Sequence, residues 1–262
     1  MPRDLIPNII RHELPGGVTY DLSWSDHILI SVPPESTWSS GLHWHEGHTE
    51  YLKVVQGSIR VRVGSRTRIV SASGGRQPEI RIDKFVSHEW RRAEAGSAGA
   101  GEEEAIVMER WDPPDGEKTL LLRNVNGVML EAPQLLQKQK QRQEQHHHKQ
   151  GVLAWCPVAV AQFLLALWVE LRVMVMFAHL DNIPVYVDLP SWSRLRKANV
   201  LSTQSLAMVD WVLSHLILSA AAFVGWIVGV QPVDERYTPP GEMAYWIAGR
   251  GGFWEEQEQE QQ

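Results

Sequence analysis

The pattern of apolar residues changes abruptly near residue 133, and this change constrains the fold more than any other feature. Before it, apolar residues recur in short runs, and in Ser58–Val63 they occupy every second position, which is the period of a half-buried strand. Turns containing Gly or Pro separate such runs, which cover residues 18–24, 27–32, 51–55, 58–63, 79–82, 105–111 and 119–122. Many short strands joined by turns predict an antiparallel barrel or sandwich in the first half of the chain.

After residue 133 the chain carries two long apolar segments, 152–169 and 206–230. Each approaches the roughly 20 residues that a helix needs to cross a bilayer, and neither has the continuous polar face of a helix on a soluble protein. We therefore expect a membrane-associated helical region. A soluble helical subdomain or a dimerisation hairpin is the alternative, which Asp210, His215 and the pair of Glu170 and Arg172 favour.

These observations predict four parts. They are a β domain over residues 1–132, a low-complexity linker rich in Gln, Lys and His over 133–150, the apolar helical region over 151–232 and an acidic tail over 233–262. The linker is too polar to bury a core. Its positive charges precede the first apolar segment and place the β domain in the cytosol by the positive-inside rule. The first residues lack the apolar run of a secretory signal, so secretion is not expected.

Composition excludes several classes of function. The net charge of −6 disfavours a nucleic-acid-binding protein, which would carry a basic excess. The one cysteine, Cys156, rules out an intrachain disulfide and a thiolate zinc cluster. No glycine-rich phosphate loop or Gly-x-Ser-x-Gly motif is present, which disfavours nucleotide cofactors and serine hydrolysis.

The residues with the clearest chemical meaning lie between positions 41 and 57. His43 and His45 are two apart, so on a strand both imidazoles point to the same face. Glu50 opens the next apolar run and can face back across a tight turn at Gly47. Two imidazoles and one carboxylate suit Fe(II), and also Mn, Ni or Zn. A fourth ligand must come from elsewhere, and His88 follows a strand-like run.

Neighbouring residues receive less specific interpretations. We expect His48 and Glu46 to lie on the solvated turn. Alternatively, His48 replaces Glu50 as a metal ligand or acts as a base. Trp44 alternates with the two histidines and is expected to face away from the metal. Trp90 lies two residues after His88 and is predicted to form a wall of the pocket.

The pattern His43-x-His45-x4-Glu50-x6-Gly57 resembles the first motif of the cupins, and residues 82–90 resemble the second. The resemblance covers roughly residues 17–125. It implies a small antiparallel double-stranded β-helix barrel that holds one metal on His43, His45, Glu50 and His88. In the second motif, Asp83-Lys84-Phe85 stands where the family has Pro-x-Gly.

The runs His-Trp-His-Glu-x-His-Thr-Glu-Tyr and His-Glu-Trp-Arg-Arg more narrowly resemble cupins from fungal secondary-metabolite clusters. This resemblance implies a metal-dependent oxidoreductase, with Fe(II) favoured, that acts on a small polyketide-type metabolite. A metal-assisted or metal-free isomerase or cyclase, or a non-catalytic small-molecule-binding cupin, is the alternative. The apolar tail favours a lipophilic substrate, and a homodimer is a further expectation.

Overall fold

The structure is a computed structural model that describes residues 7–94, 96, 103–146, 158–191 and 202–259. Cys156 and most of the histidine tract at 146–148 lie outside the described residues. The strands are β1 (Ile9–His12), β2 (Val18–Asp21), β3 (Ile28–Val32), β4 (His43–Trp44), β5 (Thr49–Gln56), β6 (Ser58–Val63), β7 (Arg66–Ser71), β8 (Glu79–Ile82), β9 (His88–Arg92), β10 (Ala105–Asp112) and β11 (Ile183–Pro184). The helices are α1 (Glu117–His146), α2 (Val158–His179), α3 (Thr203–Val228) and α4 (Pro240–Gln259), with a 3₁₀ turn at Leu189–Ser191.

The strands form two antiparallel sheets. The six-stranded sheet has the order β1-β2-β3-β10-β5-β8, and the five-stranded sheet has the order β11-β4-β9-β6-β7. Side chains alternate between buried and more exposed along β5, where Glu50, Leu52 and Val54 are buried. From the other sheet, Trp90 on β9 donates its indole N–H to Glu109 on β10 at 2.6 Å. The buried faces of the two sheets therefore meet.

Most of the predicted strands are confirmed. The runs at 58–63 and 79–82 match β6 and β8 residue for residue. The run at 119–122 was wrongly predicted as a strand, because it belongs to α1. The Asp115 carboxylate accepts a hydrogen bond from the backbone N–H of Glu117, as a helix-capping side chain does. A four-residue apolar run does not distinguish a strand from one buried helical turn.

The described chain forms two compact units. One contains residues 7–119 and 177–220 and so includes both sheets, whereas the other contains the described residues of 120–176 and 221–262. The stretch expected to be a linker is helical as far as His146, because Gln, Lys, Glu and Leu are good helix formers. Part of the acidic tail is likewise helical, in α4. The four-part division made from the sequence stays a prediction.

The first apolar segment forms a helix that extends beyond residue 169, since α2 ends at His179. It therefore contains Arg172, whose side chain is buried in the second unit. The guanidinium donates to Asp234 at 2.9 Å and lies 3.5 Å from the Glu131 carboxylate. Two carboxylates thus compensate the buried charge of Arg172, which accounts for a cation within an otherwise apolar helix.

The turn between β5 and β6 requires glycine. Gly57 has a φ of +70°, and a Cβ there would lie 2.5 Å from the carbonyl oxygen of Glu104. Gly64, between β6 and β7, has a φ of +57° but open space around it.

We expect Gly64→Ala to lower the free energy of unfolding by about 1 to 2 kcal/mol, the cost of a left-handed alanine. Gly57→Ala should lower the free energy of unfolding by about 1 to 3 kcal/mol more than Gly64→Ala does, because the backbone at Glu104 must also move away from the new methyl group. Urea unfolding of both variants measures the difference. Equal losses would contradict the close approach of Glu104 to this turn.

Candidate metal centre

Four buried side chains meet between the two sheets. They are His43 on β4, His45 just after it, Glu50 on β5 and His88 on β9. Their nearest nitrogen and oxygen atoms all lie within 4.8 Å of one another, and each residue is at most 8% exposed. The ring centroids of His43 and His88 are 4.3 Å apart, because these residues are direct partners between β4 and β9. The structure thus brings together all four residues that the sequence analysis selected.

Each of the three imidazoles points one nitrogen away from the centre toward a backbone carbonyl. Nδ1 of His43 is 2.8 Å from the oxygen of Gly41, and Nδ1 of His88 is 2.9 Å from that of Val86. Nδ1 of His45 is 2.5 Å from the carbonyl oxygen of Asp181. A carbonyl oxygen only accepts hydrogen bonds, so Nδ1 of His43 and Nδ1 of His88 carry a proton. Nδ1 of His45 also lies 3.1 Å from the ammonium group of Lys118, which is a donor. In a neutral ring with its proton on Nδ1, the lone pair is on Nε2, the nitrogen that remains free to act as a ligand.

The Glu50 carboxylate lies against these Nε2 atoms. Its Oε2 is 2.5 Å from Nε2 of His88 and 3.4 Å from Nε2 of His45. Although both are buried, neither Glu50 Oε2 nor His88 Nε2 makes a hydrogen bond to the residues that the structure describes. Two acceptor atoms this close repel each other unless a cation, either a proton or a metal ion, lies with them. The donor set therefore fits a divalent metal ion.

Burial and mutual interaction set the charges of the cluster. Burial lowers the pKa of His43 well below its ordinary value. Burial also lowers the pKa of His45, and the positive charge of Lys118 lowers it further. Burial opposes ionisation of Glu50, but His88 and His45 outweigh it and hold the Glu50 pKa well below its usual range. Burial likewise disfavours protonation of His88, yet Glu50 raises its pKa above the ordinary value. Neutral His43 and His45 beside an ionised Glu50 are the protonation states that metal ligands need.

His48 does not lie on a solvated turn, so this part of the sequence interpretation is wrong. The side chain is only 3% exposed and lies between two carboxylates, with Nδ1 2.6 Å from Asp181 and Nε2 2.9 Å from Asp115. Both ring nitrogens are occupied, which leaves none to replace Glu50 as a ligand. The sequence pattern could not show this burial, because it depends on a tertiary contact with Asp181, which lies 133 residues further along the chain.

Glu46 is also more constrained than a surface turn residue. Its Oε1 accepts hydrogen bonds from the indole N–H groups of Trp44 at 3.1 Å and Trp211 at 2.8 Å. Trp44 is buried, and its ring lies 6.1 Å from that of His215. The turn after β4 is thereby attached to α3, which carries Trp211 and His215.

Sequence analysis missed three residues near the centre. Lys118, at the start of α1, is buried and donates to the carbonyls of Leu180, at 3.3 Å, and Asp181. No spacing signal marks Lys118 or Asp181, since their contacts join distant segments. Glu109 could have been found, because it continues the buried alternation of Ala105 and Val107 along β10. Burial raises the Glu109 pKa well above its ordinary value, which favours the protonated form of this carboxyl group.

No protein-family model and no curated protein sequence matches this chain. Solved structures similar to parts of it include KdgF from Halomonas sp., at 17% identity and a TM-score of 0.27 over 39% of this chain and 84% of that one. A predicted oxalate decarboxylase from Thermotoga maritima matches at 18% identity and a TM-score of 0.30, over 41% and 92%. The Drosophila melanogaster CENP-C cupin domain matches at 12% identity and a TM-score of 0.29, over 40% and 75%.

The environment of His48 predicts a pH dependence of stability. Burial disfavours its protonation, but the hydrogen bonds to Asp115 and Asp181 outweigh burial and raise its pKa to about 9. In the unfolded chain the pKa is about 6.5. The stabilisation is therefore complete below pH 6.5 and is lost as the pH rises through 9. It amounts to about 2 to 3 kcal/mol, reduced by solvent at Asp115, which is 34% exposed.

We expect the stability difference between the wild type and His48→Gln to shrink between pH 6 and pH 9.5. Urea unfolding in the presence of a chelator at several pH values measures this difference. Parallel stability curves for the two proteins would contradict the ion pairs assigned to His48.

Proposed function

We propose that this chain is a cupin-type, metal-dependent oxidoreductase that acts on a small, lipophilic, polyketide-type metabolite. The observation that carries the proposal is the convergence of three Nε2 atoms and the Glu50 carboxylate in a buried site, with each Nδ1 bound to a carbonyl. Fe(II) is favoured because imidazole and carboxylate ligands suit it, with Mn, Ni or Zn as alternatives. We likewise propose the double-stranded β-helix barrel as the arrangement of the two sheets.

A bound Fe(II) ion would supply one-electron and oxygen chemistry, whereas Zn would supply Lewis-acid chemistry. His43, His45, Glu50 and His88 would hold the ion. Trp90, two residues after His88 on β9, is buried, and its ring lies 4.9 Å from that of Trp38 in an edge-to-face contact. A buried aromatic side chain beside a proposed ligand favours an apolar substrate.

The isomerase or cyclase alternative is favoured by one observation, the buried carboxyl group of Glu109, whose pKa burial raises. Trp90 donates its indole N–H to Oε1 of Glu109 at 2.6 Å, which leaves Oε2 as the oxygen that can carry a proton. A neutral carboxyl group in an apolar interior is a general acid suited to neutral pH. Oxygen uptake in the presence of substrate separates the two reactions, because isomerisation and cyclisation consume none.

The proposal predicts about one metal ion per chain. Full-length protein in detergent, with the tract 146–148 changed to glutamine, should retain iron or manganese after extensive dialysis. The double variant His43→Ala/His45→Ala should retain less than a tenth of that amount, since it loses two of the four ligands. His27→Ala, which removes a histidine whose described contacts are with Asp26 and Trp24, is the control.

Elemental analysis of the three proteins decides the question. A wild type without metal under these conditions, or a double variant that keeps the full amount, would refute the proposed centre. Zinc or nickel in place of iron would favour the isomerase or cyclase.

We also propose that the helical region associates with a membrane and that the β domain faces the cytosol. Two helices are long and apolar enough to cross a bilayer, over Gln162–His179 and Gln204–Val228. On α3, Asp210 and Ser214 are buried together with Leu206, Leu218 and Ala221, while the exposed face is apolar. That exposed face carries Met208, Val212, Leu216, Phe223 and Ile227. Polar groups inside and apolar groups outside are typical of a helix in contact with lipid.

This proposal predicts that polar substitutions on the exposed face weaken lipid binding. Leu216 and Phe223 are 62% and 61% exposed, and the loss of each from lipid costs about 1.5 to 3 kcal/mol. Leu216→Gln/Phe223→Gln should therefore reduce partitioning into phosphatidylcholine vesicles at least about tenfold. The matched control is Trp24→Gln/Ile69→Gln. It changes two exposed apolar residues outside α3, one in the loop between β2 and β3 and one on β7. Equal sedimentation of the two double variants with vesicles would contradict lipid contact through α3.

A further inference from the structure

Asp181 is the second residue after α2 and contacts the proposed metal centre through its backbone. Its carbonyl oxygen lies 2.5 Å from Nδ1 of His45, the nitrogen that also lies 3.1 Å from Nζ of Lys118. Lys118 donates to the same carbonyl oxygen. The orientation of the His45 ring therefore depends on a residue 136 positions further along the chain.

The Asp181 side chain binds the turn between His45 and Glu50. Its Oδ1 accepts the backbone N–H of Glu46 at 2.7 Å, and its Oδ2 is 2.6 Å from Nδ1 of His48. Oδ2 also lies 3.6 Å from the ammonium group of Lys118. The carboxylate thus fixes the backbone that sets the spacing between two of the proposed ligands.

The backbone of Asp181 indicates that these contacts are maintained at a cost. Its φ of +41° lies in the left-handed region, which costs a residue with a Cβ about 1 to 2 kcal/mol. The turn also leaves little space for the carboxylate, since a Cβ on Gly47 would lie 3.2 Å from Oδ2 of Asp181. Contacts from both the carbonyl and the carboxylate hold the residue in this conformation.

We propose that Asp181 is a positioning residue of the metal centre, with its carbonyl orienting His45 and its carboxylate fixing the turn that leads to Glu50. This inference rests on the proposed metal site. The proposed ligands come from β4, β5, β9 and the turn after β4, whereas the segment after α2 helps to fix the orientation of His45. A side chain that fixes a ligand from behind typically changes metal affinity 10- to 100-fold when it is altered.

Asp188 provides a matched control in the same segment. It also has a positive φ, of 54°, and it accepts hydrogen bonds from Arg62 at 2.7 and 2.9 Å. Loss of the Asp188 carboxylate removes its ion pair with Arg62, and loss of the Asp181 carboxylate removes ion pairs with His48 and Lys118, all within the same unit. Among the contacts described here, only those of Asp181 reach a proposed ligand, so a purely structural role predicts similar effects of the two substitutions.

The test is a titration of metal-free, full-length protein in detergent with Co(II), followed by visible absorption, which reports the geometry of the ion. The tract 146–148 is again changed to glutamine. We expect Asp181→Asn to weaken Co(II) binding about 10- to 100-fold and to alter the spectrum. Asp188→Asn should bind within about twofold of the wild type with an unchanged spectrum, because none of the Asp188 contacts described above reaches a proposed ligand.

A second variant covers the case in which Asp181→Asn does not fold. Gly47→Ala places a methyl group against Oδ2 of Asp181, and the φ of Gly47 is not positive. It should weaken Co(II) binding by a smaller factor, with Gly16→Ala as the control because the space around Gly16 is open.

Failure of this inference is distinguishable from failure of the proposed function. Wild-type affinity and an unchanged spectrum in both Asp181→Asn and Gly47→Ala, with binding lost in His43→Ala, would overturn the role of Asp181 and leave the metal site intact. Equal losses of affinity in Asp181→Asn and Asp188→Asn would also overturn it. Absence of Co(II) binding by the wild type would overturn the metal site, and the positioning role with it.

Discussion

The buried carboxylate of Glu50 imposes the constraint on which the rest of the site depends. An ionised carboxylate removed from water is costly unless positive charge or hydrogen-bond donors surround it. Here its Oε2 faces Nε2 atoms of His88 and His45, while the Nδ1 atoms of both rings are bound to carbonyls. The interior therefore presents several acceptor atoms to one point, and a cation there satisfies them together.

The charged groups around the proposed ligands also need partners, because they too are buried or partly buried. Lys118 is buried and therefore needs acceptors, which it finds in the carbonyls of Leu180 and Asp181. Asp181 needs donors and receives them from Glu46 and His48. Each group is compensated by the next, so a change at one position alters the positions of its neighbours. This coupling relates the segment after an apolar helix to a site formed by strands.

Helix α3 differs from the sheets in the residues that it exposes. On β5, Leu52 and Val54 are buried and Gln56 is exposed, whereas α3 buries Asp210 and Ser214 and exposes Leu216 and Phe223. Asp210 accepts the backbone N–H of Leu189 at 2.9 Å, and Ser214 donates to the carbonyl of Pro184 at 2.8 Å. These two polar side chains thus contact the segment over 184–189.

Local patterns in the sequence predicted most of the strands and the pairing of His43 with His45, because alternation and two-residue spacing act over short distances. Ser58–Val63 and Glu79–Ile82 were predictable for this reason, as was the shared face of His43 and His45. Only the tertiary structure decided the surroundings of those ligands. The burial of His48, the orientation of His45 by Asp181 and the helical state of residues 119–122 all depend on contacts between segments far apart in the chain. Such contacts leave no periodic signal, since each joins single residues whose spacing is set by the fold rather than by the repeat of a strand or helix.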